Sequence, residues 1–489
     1  MSKKFIIDTS VIIDNPHANL IKLSKGGKNK LYITEVVLSE LDKHKTSLRF
    51  EVASSARSFF RALKNSNFEP QKSKKKNDSK YLVNLKYENG DMVPLYIIVR
   101  DKYSKTTLTS ESVNDSKIRE VASSYGFKCI TNDISFKIIA LSMGLEAESI
   151  YWDSIKNPKT ISFTKRMRIT EAEFNEKSNE LGNKLKEWTQ LSVTFVNDED
   201  IETGNVGFYL VRNNHLIDVS DNNYDRFRVK PRNIEQKFYA NMLESNFDIM
   251  CVAGSTGSGK TLLALQEGMR RVKDKNSQIN KIVYMRFTVN AEDKFSALGY
   301  RKGGESEKLD FFNYPLYSAI NFIIEQKMKR DIGKAKEVKA HVANQLNSNQ
   351  IKGKAQHRVK TSQTIEQEKV MSIKKNELTE EFLKEYNVEF MDIAHARGIT
   401  IDNSYIIFDE VQNAPNNIVR LIGTRIGENS IGIFMGDNGQ VDHPYLSQER
   451  NGLVTLLKEA KKSDFVAAIR LVKTVRSDKA KWFEEHIKG

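Results

Sequence analysis

Gly254-Ser-Thr-Gly-Ser-Gly-Lys-Thr261 stands directly after the apolar run Ile249-Met-Cys-Val-Ala253 and directly before Leu262-Leu-Ala-Leu-Gln266. The eight residues fit G-x-x-x-x-G-K-[ST] at every fixed position, in a strand, glycine loop and helix order. Glycines let the backbone N–H groups of Gly254, Ser255, Thr256, Gly257, Ser258 and Gly259 curl around phosphates. The start of the following helix adds positive potential. In that arrangement Lys260 reaches the β- and γ-phosphates of ATP, and the Thr261 hydroxyl is placed to ligate Mg²⁺. A strand leading into such a loop and helix belongs to a parallel α/β sheet.

Working outward, four apolar residues, Tyr405-Ile-Ile-Phe408, run into Asp409-Glu410. A surface acid pair rarely follows such a run. The pattern predicts Asp409 holding Mg²⁺ through water and Glu410 orienting or deprotonating the attacking water. Ile431-Gly-Ile-Phe-Met435 ends in Gly436-Asp-Asn-Gly-Gln440, where Gln440 is placed to sense the γ-phosphate. Further strands are predicted at 248–253, 281–285, 405–408, 431–435 and 466–472. Between them, about 327–376 is poor in aromatics and rich in Lys, Gln, Asn and Ser, and reads as a helical or partly disordered insertion.

The remaining chain needs a second core. Its 489 residues are 39% hydrophobic, which supports at least two domains. Residues 1–153 alternate short β-rich runs (Phe5-Ile-Ile, Leu31-Tyr-Ile, Leu95-Tyr-Ile-Ile-Val, Phe127-Lys-Cys-Ile) with helical patterns, predicting another parallel α/β sheet. The basic stretch 71–80 inside it reads as a mobile surface loop. Residues 154–231 read as a connector with a helix from Glu171 to Lys186 and a small β element around Phe208–Val211 and Leu216–Val219. The P-loop domain then occupies 232–489.

Lys and Arg number 77 against 63 Asp and Glu, a net charge of +14 that favours polyanionic partners. Cys129 and Cys251 both lie in apolar runs and are too few for a disulfide framework or a cysteine zinc site. The histidines show no metal-ligand spacing, so any metal is expected on oxygen ligands. The start of the chain lacks a leader-like apolar run and no stretch approaches the ~20 apolar residues of a membrane span. The expected location is cytoplasmic, with no membrane partner.

Four acids in the first domain stand where a phosphodiester-cleaving metal centre needs them, at strand ends and on helices facing them. Asp8 ends the strand Phe5-Ile-Ile and precedes the hydroxyls of Thr9 and Ser10. Glu40 lies on a helix opened by Thr34, set off from the apolar Val36, Val37 and Leu41. Asp115 sits in the first turn of a helix with Asn114 expected as its cap, and Asp133 follows Phe127-Lys-Cys-Ile. Taken singly, each acid is more often a helix cap or a solvated surface group than a ligand.

Two families are resembled. Phe408-Asp-Glu-Val-Gln-Asn413, Gly423-Thr-Arg-Ile-Gly-Glu-Asn429 and Gly436-Asp-Asn-Gly-Gln-Val-Asp-His-Pro444 are similar to the PhoH family, relatives of superfamily 1 helicases, over about 232–478. That resemblance implies a RecA-like ATPase in which Gln236, from Asn233-Ile-Glu-Gln236, contacts adenine. It also implies that Arg425 and Arg476 address phosphate, one of them as an arginine finger from a neighbouring subunit of a homo-oligomeric ring such as a hexamer. Two departures, Ile399 in place of an expected arginine and the insertion, bear on substrate handling. Ile-Asp8-Thr-Ser, Ser39-Glu-Leu-Asp42, Val113-Asn-Asp115 and Thr131-Asn-Asp133 resemble a PIN domain over about 1–150. This implies a Rossmann-like sheet and a Mg²⁺ or Mn²⁺ ribonuclease with Asp8, Glu40, Asp115 and Asp133 as ligands.

Together the resemblances imply an ATP-dependent protein that moves or unwinds single-stranded RNA and cleaves it. Two alternatives stay open at this point. One is an ATP-gated RNA remodelling protein with an inactive PIN scaffold, and the other is a toxin-like ribonuclease switched by ATP without unwinding.

Overall fold

A computed structural model of the chain describes residues 2–150 apart from 48, 49, 65, 74 and 111, and 157–287 apart from 221–223, 225 and 226. It also describes 315–328, 377–475 apart from 394, 395, 397, 444 and 445, and the single residues 479, 482 and 486. The chain forms two compact units, Met1–Ser154 and Ile155–Gly489. The insertion expected at 327–376 and Arg476 lie outside the described residues, except for 327 and 328.

The first unit is built on seven strands: β1 (Lys4–Ile7), β2 (Lys30–Thr34), β3 (Phe68–Gln71), β4 (Asp78–Lys86), β5 (Met92–Arg100), β6 (Lys128–Ile130) and β7 (Ala147–Glu148). Their order is β3-β4-β5-β2-β1-β6-β7. The strands from β5 to β7 are parallel, whereas β3 and β4 run antiparallel at one edge. The sheet is therefore mixed, and the stretch 71–80 expected as a mobile loop is partly strand: Gln71 ends β3 and Asp78, Ser79 and Lys80 open β4, with a turn between them. What sequence reading missed there is Asp78, which enters the core because Arg100 meets it at 2.8 Å. Both faces of the central strands are covered by helices, so Phe5, Ile6 and Ile7 are all buried.

The chain leaves β1 toward β2 on one side and returns to β6 on the other. Strand order thus reverses between β1 and β6, which opens a crevice at their carboxyl ends. Asp8 follows β1 and Asp133 stands three residues after β6, at that crevice.

The second unit opens with a four-stranded sheet of β8 (Thr164–Thr170), β9 (Gln190–Val196), β10 (Glu202–Arg212) and β11 (His215–Asp218), with the helix Glu171–Lys184 against one face. β8 and β9 are absent from the sequence-based expectation. This sheet is bolted to the P-loop core: Gln190 Nε2 donates to the Ala468 carbonyl at 3.0 Å, and Trp188 Nε1 to that of Asp464 at 3.0 Å.

The larger sheet contains β12 (Ile249–Gly254), β13 (Lys281–Arg286), β14 (Val388–Phe390), β15 (Ser404–Asp409), β16 (Ile431–Gly436) and β17 (Val466–Leu471). Its order is β14-β13-β15-β16-β12-β17 and all pairs are parallel. Every residue of β15 and β16 is buried, the mark of central strands covered on both faces. The helix Lys260–Lys273 follows the glycine loop, and the carboxyl ends of β12, β15 and β16 bring the three sequence motifs to one edge. Among the described residues, no helix is long and apolar enough to cross a membrane.

Candidate functional sites

In the first unit small polar side chains hold two of the four acids, Asp8 and Glu40. Asp8, 6% exposed, occupies the N-cap of the helix Thr9–Asp14. Its Oδ2 accepts from Ser10 Oγ at 2.6 Å and Thr131 Oγ1 at 2.8 Å. Ser10 Oγ also accepts the Asn132 N–H at 2.9 Å, tying the ends of β1 and β6 together. Thr9, expected beside Asp8, instead donates its hydroxyl to Glu40. Glu40, on the helix Glu35–His44, also accepts from Asn114 Nδ2 at 2.8 Å. Asn114 is therefore no cap. It lies inside the helix Val113–Tyr125, whose N-cap position is Ser112, and it orients Glu40. Asp133 caps the helix Ile134–Ser142 by accepting the Phe136 N–H at 3.0 Å.

The acids share one electrostatic environment. Burial pushes Asp115 up to about 6, the negative charge of Asp8 adds to this, Arg119 opposes it, and Asp133 and Glu40 push the same way. Burial likewise holds Asp8 above the usual carboxylate range, against the pull of its Ser10 and Thr131 hydrogen bonds. Among the described residues, no three Asp, Glu, His or Cys side chains close on a single ion position as they stand. The donor chemistry nonetheless fits a hard cation: all four are oxygen ligands, Asp8 and Asp115 are desolvated, and Asp115 is repelled by the other three, which a divalent ion would relieve.

In the second unit the loop glycines have steric reasons. A Cβ on Gly254 would meet the Leu471 carbonyl at 2.7 Å, and Gly257 and Gly259 adopt φ of 81° and 89°. Lys260 Nζ donates to the carbonyls of Gly254 at 2.6 Å and Ser255 at 3.0 Å. Thr261 Oγ1 lies 3.1 Å from Asp409 Oδ2, which Tyr284 also contacts through its hydroxyl at 3.1 Å. The two residues expected to share Mg²⁺ are thus adjacent.

Glu410 has φ of 60°, a left-handed conformation that costs a non-glycine residue of order 1–3 kcal/mol. Its carboxylate is taken by Arg286 at 3.3 Å and Gln412 Nε2 at 2.5 Å. Gln440 reaches the glycine loop, accepting from Thr256 Oγ1 at 3.0 Å, and Asp437 Oδ2 accepts the Thr256 N–H at 3.1 Å.

Residues 228–488, more than half the chain, match the PhoH-like protein family, and residues 5–151 match the PIN domain. The chain belongs to the PhoH-like family. Protein PhoH2 of Bacillus subtilis (strain 168) is 23% identical over 98% of both chains, so its similarity extends across both units. PhoH-like proteins of Bacillus subtilis and of Mycobacterium leprae (strain TN) are 25% and 24% identical. Those matches cover 50% and 51% of this chain, and 59% and 55% of the relatives. The chain is thus a PIN–PhoH fusion, a nuclease-type domain joined to a P-loop ATPase-type domain.

Two residues carried over from the PhoH-like pattern have partners of their own within the chain. Gln236, 6% exposed, spends its amide within the protein: Nε2 donates to the Ser258 carbonyl at 2.9 Å and Oε1 accepts the Arg232 N–H at 2.8 Å. It braces the glycine loop from behind. The Arg425 carbonyl accepts the Ile401 N–H at 2.8 Å, and Ile426 bridges to Ile401, which places this arginine where β15 begins. Asp409 is at the other end of that strand, so roughly 15 Å of extended chain separates them. Within one chain Arg425 does not address the glycine loop.

Sequence reading missed Thr131, Tyr284, Arg286, Gln412 and Asp437. Only Gln412 carried a usable signal, as a polar residue two positions after Glu410 where the apolar strand has just ended.

Proposed function

We propose that this PIN–PhoH protein is an ATP-dependent RNA-processing enzyme in which the PhoH-like unit moves single-stranded RNA and the PIN unit cleaves it with Mg²⁺ or Mn²⁺. The observations that support this reading are Asp8 and Asp133 following β1 and β6 at the crevice, with Glu40 tied to Thr9 beside Asp8 and Asp115 within the influence of all three, in a chain whose other unit sets Thr261 3.1 Å from Asp409.

Asp8, Glu40, Asp115 and Asp133 would hold the nuclease metal. When bound, a divalent ion supplies a low-pKa water and neutralises charge on the phosphodiester. Ser10 and Thr131 fix the Asp8 carboxylate, and Thr9 and Asn114 fix Glu40, so neither has to be immobilised at the moment of reaction. In the ATPase unit, the loop amides and Lys260 would bind the ATP phosphates, with Thr261 and Asp409 holding its Mg²⁺. Glu410 orients water, and Gln440 senses the γ-phosphate. Gln236 fixes the loop beneath the nucleotide.

The net charge of +14 suits a phosphate backbone, and the 2′-hydroxyl is the group by which RNA is preferred to DNA. The position of Arg425 supports a homo-oligomeric ring, since its contact with a phosphate requires a neighbouring subunit. The test is a duplex RNA with a single-stranded tail, incubated with Mg²⁺ with and without ATP. Strand separation that needs ATP and an intact Lys260, with cleavage that needs Asp8, supports the reading. ATP turnover without strand separation or movement contradicts the motor.

A further inference from the structure

Arg119 is 3% exposed and lies one helical turn after Asp115, on the same face of the helix Val113–Tyr125. Its Nη2 donates to Ser116 Oγ at 2.9 Å, while Nε and Nη1 are buried without a hydrogen-bond partner. The guanidinium lies 5.1 Å from the centre of the Phe136 ring. Phe136 is the residue whose N–H Asp133 caps, so Arg119 stands between the helix that carries Asp115 and the helix that Asp133 opens.

A buried guanidinium with unspent donors is costly and is retained where opposite charge compensates it. Here the opposite charge is the acid cluster: Asp115 one turn away, with Asp8, Asp133 and Glu40 around it. Those same four carboxylates, without a cation, repel one another. Ser116 and Phe136 fix the arginine in place, one by hydrogen bond and one by its ring face.

We propose that Arg119 is the built-in counter-cation of the nuclease pocket, offsetting the charge gathered around Asp115 in the absence of metal and competing electrostatically with the divalent ion that the acids bind. It is a positioning residue rather than a catalytic one, because burial keeps it from substrate. The opposing influence of Arg119 on the Asp115 carboxyl is in keeping with this. The inference rests on the metal-dependent reading of the PIN unit given above.

The consequence is specific. Neutralising Arg119 removes stability from the metal-free protein and strengthens the hold on metal, two effects of opposite sign. A residue that merely filled space would weaken both.

The experiment uses the full-length protein without nucleotide, titrated with Mn²⁺ by calorimetry and melted in chelator and in saturating Mn²⁺. The heat that Asp8→Asn abolishes is assigned to the acid pocket. Arg119→Gln is expected to bind Mn²⁺ about tenfold more tightly than wild type, with a lower Tm in chelator that Mn²⁺ largely restores. Arg119→Lys, which keeps the charge, is expected to stay within about threefold of the wild-type Kd. Arg119→Gln binding Mn²⁺ no tighter than wild type, or Arg119→Lys tightening it equally, overturns the proposal. So does an Arg119→Gln protein that stays unfolded in saturating Mn²⁺. If Asp8→Asn leaves the wild-type heat unchanged, the metal-site reading itself fails and takes this inference with it, an outcome separable from the behaviour of the Arg119 variants.

Discussion

Gln412 Nε2 lies 2.5 Å from Glu410 Oε2, and the same buried amide also donates to the Gln440 carbonyl at 3.0 Å and accepts the Asp437 N–H at 2.9 Å. Asp437 and Gln440 in turn hold Thr256 of the glycine loop. One side chain therefore joins the acid after β15, the loop after β16 and the phosphate loop after β12.

Replacing Gln412 by Ala leaves Glu410 held by Arg286 alone and removes one support of the loop after β16, while the Thr261–Asp409 contact, in which Gln412 takes no part, stays in place. ATP turnover is expected to fall about tenfold or more while nucleotide affinity stays within about threefold, the split between kcat and binding being what supporting contacts produce. Steady-state ATPase assays with a binding titration of a non-hydrolysable analogue check it. Equal losses in both would mean that Gln412 only supports the fold.

Gly436 makes room for that amide, since a Cβ there would stand 2.2 Å from Gln412 Oε1. Gly436→Ala is expected to cost about 1–3 kcal/mol in urea unfolding and to lower ATPase activity with it. Gly423→Ala is the control: nothing lies within 4 Å of its would-be Cβ, and no loss of stability is expected.

The sequence was most legible where chemistry and fold make the same demand. The glycine loop, the apolar strand before it and the acids after β15 can be read because each needs a fixed residue type at a fixed position. The acids of the first unit were harder, because Asp8 and Asp133 are helix caps as well as members of the cluster. Residue type alone does not distinguish the two roles, and only the convergence of β1 and β6 brings them together. Asn114 read as a cap by its position but turns its amide to Glu40, a partner 74 residues away. Strand β4 escaped because its mixed polar and apolar residues suit an edge hairpin rather than the apolar run of a central strand. Arg425 was named by motif, yet the motif does not say which end of the sheet it occupies.

Asp78 and Arg100 provide a test by pH. Burial works to raise the Asp78 carboxyl, but the Arg100 hydrogen bonds and charge outweigh it and hold the group below the usual aspartate range. A group depressed in the folded state stabilises the fold above its unfolded pKa and loses that contribution as pH falls through the folded value. Asp78→Asn is expected to destabilise the protein by about 3 kcal/mol at neutral pH. The gap to wild type should narrow as pH falls below about 4. Urea unfolding across that range measures it, and a gap that stays constant would remove the ion pair from the explanation.

Arg425 provides a test of assembly. Arg425→Ala and Lys260→Ala are each expected to abolish ATP turnover alone. Mixed one to one with subunit exchange, an Arg425→Ala glycine loop can meet an intact Arg425 from a Lys260→Ala neighbour, recovering about a quarter of wild-type turnover in a randomly mixed ring. No recovery after demonstrated exchange excludes Arg425 acting across subunits.

In the function proposed above, oxyanions are handled at two separate centres, a carboxylate crevice in the PIN unit and an amide and lysine loop in the PhoH-like unit. End-labelled single-stranded RNA incubated with Mn²⁺ or Mg²⁺, alongside phosphate release from ATP, tests it for wild type, Asp8→Asn and Lys260→Ala. Asp8→Asn is expected to stop cleavage and spare ATP turnover, and Lys260→Ala is expected to stop ATP turnover. Cleavage by Asp8→Asn at the wild-type rate would contradict a carboxylate-held nuclease centre in the PIN unit.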